Sequence, residues 1–160
     1  MAWPKNEDVL ALAVPLVIAF EGFRARPYLC PAGKWTIGYG TTLYPDGKPV
    51  AAADSVIAEA AAEEFLRLAL RRILIALRGL LSRPPNANQA AALLSLAYNI
   101  GTGALARSTL LAKFNAGGIA GAGGEFLNWD KARVDGRLVC VPGLTRRRAA
   151  ERQLFLGAGQ

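Results

Sequence analysis

Apolar and polar positions follow three different rhythms along the chain. From Val9 to Phe20 the residues are almost all apolar, introduced by Asn6, Glu7 and Asp8 and interrupted by Pro15. This run predicts a buried helix ending near Glu21-Gly22, capped by Asn6, with Glu7 and Asp8 at its positive end. Pro15 either kinks that helix or opens a second one as its first residue. Between 24 and 50 the rhythm changes: Gly33, Gly38, Gly40, Gly47 and four prolines separate Tyr28, Trp35, Ile37, Tyr39 and Tyr44. Short alternating runs such as Trp35-Thr36-Ile37-Gly38-Tyr39 read as strands, and Pro45-Asp46-Gly47 as a turn.

From residue 54 onward the pattern reads as helical throughout. Asp54 or Ser55 is expected to cap a long helix in which Leu66, Leu70, Ile73, Leu77 and Leu81 form one apolar stripe, with Arg83-Pro84-Pro85 as its stop. Asn88 is the expected cap of the next helix, Gln89 to about Tyr98, whose nearly complete apolarity predicts a central position. Gly101-Thr102-Gly103 breaks the chain, and shorter helices are expected over 108–115, 119–130 and 145–156. The sum is an α+β protein in one domain, 1–160. A small Gly-rich β lobe (24–50) faces a larger helical lobe (54–160, with the N-terminal helix), the long helix joins them, and a ligand cleft lies between.

Composition narrows the chemistry. The 160 residues contain no histidine, which removes His-based triads, HExxH zinc sites and imidazole proton shuttles. Two cysteines, at 30 and 140, cannot form a zinc cluster or a disulfide framework. A net charge of +7 and a pI near 9.9 favour a polyanionic partner: nucleic acid, anionic lipid or an acidic wall polymer. No nucleic-acid recognition motif accompanies the basic residues, so nucleic acid is not expected. The 12-residue apolar run is too short to span a bilayer and lacks the basic start of an export signal. Synthesis as a soluble cytosolic protein is the expectation.

Glu21 ends the apolar helix, a setting that suits a general acid. Cys30 follows nine residues later and Thr36 six after that, inside Thr36-Ile37-Gly38-Tyr39-Gly40-Thr41-Thr42. At this point the chain resembles the tailed-phage lysozymes, or endolysins, of glycoside hydrolase family 24. That family carries a helix-end Glu, then Asp or Cys, then Thr within a T-x-G-Y-G-T/H-T run. Two further stretches resemble the family in the same order. They are Gln89 to Gly101, followed by Ser108-Thr109-Leu110-Leu111, and Gly143-Leu144-Thr145-Arg146-Arg147-Arg148-Ala149-Ala150-Glu151.

The resemblance implies a lysozyme-like fold, no cofactor and no metal. It implies hydrolysis of the β-1,4 bond between N-acetylmuramic acid and N-acetylglucosamine in peptidoglycan. Glu21 would protonate the leaving oxygen, Thr36 would hold the attacking water, and Cys30 stands where many members place an Asp. Asn99, Tyr39 and Gly40 would contact substrate, and Arg146 or Arg147 would pair with Glu21. The enzyme would be a monomer, made in the host cytoplasm and released to the wall through a separate pore protein. The basic C-terminal helix is the expected contact for outer-membrane or other anionic lipid.

Other readings stand beside these. Cys30 serves as a thiolate base, as a small cleft residue, or as half of a Cys30–Cys140 disulfide closing the cleft. Cys140 is otherwise a small buried residue. Asn99 either faces sugar or caps a helix, and Tyr28, Trp35 and Tyr39 either stack on sugars or fill the β lobe. The rival functions are a lytic transglycosylase and a non-catalytic wall- or membrane-binding protein.

Overall fold

In the computed structural model, which describes residues 2–157, the N-terminal apolar run is one continuous helix, α1 (Asn6–Glu21). Pro15 lies on its exposed side and neither kinks the chain into two helices nor starts a new one. Asn6 is not its cap. The N-cap is Lys5, which makes no side-chain capping bond, and Asn6 Oδ1 accepts instead from Arg78 Nη2 at 2.9 Å. Met1 and residues 158–160, the ends of the expected domain, lie outside the described residues.

The Gly-rich segment forms the expected β lobe. β1 (Arg24–Leu29) pairs antiparallel with β2 (Trp35–Gly38), with Tyr28 opposite Thr36 and Leu29 opposite Trp35. Residues opposite each other share a face, and neighbours along a strand alternate. Tyr28 and Thr36 therefore occupy one side of this ribbon, and Leu29 and Trp35 the other.

The long helix α2 (Glu59–Leu80) begins later than its expected caps at Asp54 or Ser55. Asp54 is engaged elsewhere: its Oδ2 accepts from the Tyr44 hydroxyl at 2.9 Å and from the Ala51 N–H at 2.8 Å, closing the β-lobe loop. Leu66, Leu70, Leu74 and Leu77 of α2 are buried. α3 (Ala87–Ile100) is the central helix, with every residue from 90 to 97 buried, packed against α1 and against α7 (Pro142–Leu156). Its cap is Asn86, not Asn88: Asn86 Oδ1 accepts from Gln89 N–H, and Gln89 Oε1 accepts from Asn86 N–H. This reciprocal box satisfies two donors that the helix end would otherwise leave orphaned. Each fully buried leucine here stabilises the fold by about 1.5–3 kcal/mol through removal of apolar surface from water.

Between α3 and α7 run α4 (Thr102–Ala106), α5 (Thr109–Asn115) and α6 (Ile119–Glu125), with a 3-10 turn at Phe126–Trp129. The expectation of helix throughout this lobe is corrected at 131–140. β3 (Lys131–Val134) and β4 (Arg137–Cys140) form a second antiparallel hairpin. Asp135 and Gly136, with φ of +48° and +77°, make its two-residue turn. Asp-Gly between alternating residues is a strong hairpin signal, because both central positions of such a turn need positive φ.

Candidate active site

Glu21 is the last residue of α1, where Gly22, at φ +69°, turns the chain into β1. Its side chain retains 21% exposure. Arg147 of α7, nearly fully buried, donates from Nη1 to Glu21 Oε1 at 2.6 Å. The other carboxylate oxygen looks toward Gly40: a Cβ built at Gly40 would stand 3.4 Å from Glu21 Oε2 and 3.1 Å from the Tyr98 hydroxyl. That space, together with a φ of +92°, accounts for glycine at this position. Tyr98 in turn donates to the Tyr39 carbonyl at 2.7 Å, fixing the Gly40 turn to α3. Burial, reinforced by the nearby Glu21 charge, pushes the Tyr98 hydroxyl pKa up.

Arg147 belongs to a larger buried network. Its Nε donates to Glu151 Oε1 at 3.1 Å and its Nη2 to the Ser95 carbonyl at 3.3 Å. The Ser95 hydroxyl donates to the same Glu151 oxygen at 2.7 Å. Arg148 binds the other Glu151 oxygen, the Trp129 carbonyl and Asn99 Oδ1. Two guanidinium groups thus face two carboxylates, Glu21 and Glu151, and the charges balance within one network. Arg146, named beside Arg147 as a partner of Glu21, does not pair with it. It is exposed on the rim of a cavity of about 390 Å³ that Glu21, Asn99 and Arg147 also line.

The β-lobe side of the site is a tight turn. Cys30 N–H donates to the Lys34 carbonyl at 2.9 Å, and Gly33 N–H donates to the Cys30 carbonyl at 2.8 Å. The Thr36 hydroxyl, nearly fully buried, donates to the same Lys34 carbonyl at 3.0 Å. Hydrogen bonding from the Lys34 backbone holds the Cys30 thiol below its ordinary pKa, with burial opposing. Burial raises the Tyr28 hydroxyl pKa, opposed by the Arg24 guanidinium over its ring and reinforced by Glu21 and Cys30. Tyr28 and Thr36 share one face of the β ribbon, with Cys30 in the turn that follows β1.

Several expectations change here. Tyr39 is buried. Its ring packs on Phe23, 5.6 Å between centroids, and its hydroxyl donates to Glu59 at 2.5 Å, which pushes its pKa up to about 12. Its side chain is β-lobe core and cannot stack on a sugar; only its backbone borders the site. Asn99 is exposed, lines the Glu21 cavity and does not cap its helix, whose end is Gly101. The Cys30–Cys140 disulfide is not formed: both thiols are free, and Cys140 is exposed at the end of β4 instead of buried. The C-terminal helix offers less charge to a lipid surface than its sequence suggests, because Arg147 and Arg148 are buried in the network. The exposed cations of this region are Lys131, Arg133 and Arg137 on the hairpin, with Arg146 and Arg152. The sequence assigns no role to Glu151, Ser95 or Tyr98, and reads Arg148 only as one of the basic residues of the C-terminal helix. The spacing of Glu151 four residues after Arg147 and three after Arg148, which puts all three on one helix face, was the available signal.

The chain matches the family described as Phage lysozyme over residues 18–151. It is 41% identical to the endolysin of Acyrthosiphon pisum secondary endosymbiont phage 1 over 89% of this chain and 94% of that protein. It is 39% identical to the endolysin of Salmonella phage P22, over 85% of this chain and 89% of the relative. Its fold superposes on the endolysin from Escherichia coli O157:H7 phage FAHEc1 with a TM-score of 0.83 at 32% identity, covering 99% of this chain and 95% of the other. With a lysozyme-like α+β fold and these relatives, the chain belongs to the phage lysozyme family of muramidase-type glycoside hydrolases.

Proposed function

We propose that this protein hydrolyses the β-1,4 bond between N-acetylmuramic acid and N-acetylglucosamine in peptidoglycan, with Glu21 as general acid. The observation that carries the reading is the placement of Glu21. One oxygen is oriented by Arg147 and the other faces the open turn at Gly40, at a helix end bordering a cavity. This orientation supports Glu21 as the acid that protonates the glycosidic oxygen as it leaves.

Thr36 and Cys30 serve the water side. Because the Thr36 hydroxyl gives its proton to the Lys34 carbonyl, its lone pairs are free to accept a hydrogen bond from water and aim the water oxygen at the sugar. Cys30 stands where a carboxylate usually completes the pair in glycosidases, and its lowered pKa makes a thiolate base accessible. Water attacking opposite Glu21 gives inversion at the anomeric carbon. Asn99, held by Arg148, and the Gly40 backbone contact the glycan. The protein acts as a monomer on the wall, in lysis, after synthesis in the host cytoplasm. Among the described residues no helix is long and apolar enough to cross a membrane, which fits transfer by a separate pore.

Cys30 in place of a carboxylate also favours a second reading, a lytic transglycosylase that uses Glu21 but no activated water. The mass of muropeptides released from purified peptidoglycan separates the two. Reducing muramic acid ends, heavier by one water, establish hydrolysis; 1,6-anhydro ends establish transglycosylation.

A further inference from the structure

The strand alternation that puts Tyr28 and Thr36 on one face of the β ribbon leaves Leu29 and Trp35 on the other. That second face is not sealed. A pocket of about 380 Å³, within the size range of ligand sites, is lined there by Lys34, Trp35, Thr42, Leu43, Pro49 and Val50. Leu29, directly opposite Trp35, is 56% exposed, and Leu43, which lines the pocket with the half-buried indole, is 54% exposed. Apolar surface grouped in this way and edged by a polar rim marks a contact for another molecule. The cation on the rim, Lys34, is exposed and has no carboxylate within ion-pairing distance among the described residues.

We propose that this pocket is a second glycan contact, taking an N-acetylmuramyl unit of peptidoglycan remote from the scissile bond. The Trp35 indole lies against a sugar face and the Lys34 ammonium meets the carboxylate of the unit's lactyl or peptide branch. The proposal rests on peptidoglycan as the substrate. Three features select this occupant. An aromatic face with aliphatic neighbours matches the apolar face of a pyranose, and the free ammonium matches an anionic branch that a neutral sugar lacks. The pocket also shares Thr42 and Leu43 with a cavity of about 220 Å³ reaching Gly40 and Tyr98, which continues it toward Glu21.

The site is coupled to the chemistry through the backbone. The Lys34 carbonyl is the acceptor for both Cys30 N–H and the Thr36 hydroxyl. An occupant seated on Lys34 and Trp35 therefore braces the turn that carries the water-side residues.

The test reads binding with hydrolysis switched off. Full-length Glu21→Gln protein is sedimented with purified sacculi, and separately titrated with short soluble glycan strands bearing stem peptides. Trp35→Leu, which keeps apolar volume, and Lys34→Gln, which changes an exposed side chain, are each expected to weaken sacculus binding about fivefold. Thermal unfolding checks that each variant is folded, and Lys34→Gln carries the test if Trp35→Leu is not. Loss on both probes shows the occupant to be the strand under cleavage; loss on sacculi alone shows it to be a neighbouring strand. Undiminished binding of folded Lys34→Gln and Trp35→Leu to sacculi would overturn the proposal. Failure of the Glu21 reading would show in released products, not in this binding assay.

Discussion

Arg147 and Glu21 meet across 126 residues of chain, with Nη1 and Oε1 2.6 Å apart. Arg147 is itself held by Glu151, which is fully buried and also takes Arg148 and Ser95. The last helix thus reaches the end of the first through one buried carboxylate. Glu151→Gln is expected to remove the charge that binds both buried guanidinium groups and to leave Arg148 with no carboxylate partner among the described residues, whereas Glu21, partly exposed, pairs with Arg147 alone. The cost for breaking such a pair is about 3–5 kcal/mol. Thermal unfolding should show a midpoint lowered by about 10 °C or more, with activity lost even where the protein remains folded, because Arg147 no longer orients Glu21.

Glu21→Gln separates catalysis from folding. Glutamine still accepts a hydrogen bond from Arg147, and Arg147 keeps Glu151, so the unfolding midpoint should move far less than for Glu151→Gln. Loss of a positioned general acid costs about 10²–10⁴ in rate. Turbidity clearance of wall suspensions should fall by that factor while binding to sacculi persists. Clearance at the parental rate would instead favour a non-catalytic binder.

The parts of this fold legible in sequence are those where local chemistry and tertiary role agree. The apolar stripe of Leu66, Leu70 and Leu77, the buried run through Leu93 and Leu94, and the Gly-rich β segment each satisfy their local pattern and their final place. Caps were harder to read, because Asn6, Asp54 and Asn88 are all good capping residues by type. Two of them have partners distant in the chain or across a loop: Asn6 is taken by Arg78, and Asp54 by Tyr44 and Ala51. The hairpin at 131–140 was missed although Asp135-Gly136 signals it, because it borders strong helical segments and buries little of itself. The pairing of Arg147 with Glu21 follows from the family resemblance, but nothing local shows that Glu151 and Ser95 will enclose Arg147, or that Glu151 will also take Arg148. Tyr39 illustrates the reverse: it lies within the family-like run, yet its neighbours Phe23 and Glu59 draw the ring into the core.

Gly40→Ala tests how closely the β lobe approaches Glu21. Alanine would carry a Cβ at a φ of +92°, 3.1 Å from the Tyr98 hydroxyl. The backbone strain alone costs about 1–3 kcal/mol. Relief requires the Tyr98–Tyr39 bond to shift, so the Glu21 pocket should distort along with the stability loss. Tyr98→Phe removes that bond without adding bulk and should cost about 1 kcal/mol. In the double variant the two losses should not add, since both act on one contact. Thermal unfolding of the four proteins measures this, and simple additivity would exclude the shared contact.

The pH behaviour of Cys30 decides whether the thiol acts as a base. Hydrogen bonding from the Lys34 backbone lowers its pKa in the folded protein. Between that lowered value and the ordinary thiol value, the folded state binds fewer protons at this site than the unfolded chain. Its contribution to stability therefore grows as pH rises across that interval and is lost as pH falls through the folded pKa. Iodoacetamide labelling followed by mass spectrometry should show Cys30 reacting with a midpoint below that of an unperturbed thiol, and slower in unfolded protein at the same pH. If the thiolate is the base, activity rises with pH through the same midpoint. Cys30→Asp should then move the rising limb into the acid range, near the ordinary aspartate value of about 3.9, while Cys30→Ser should remove it. An activity profile that stays put in Cys30→Ser would assign the water-side work to Thr36 alone and leave Cys30 as a small cleft residue.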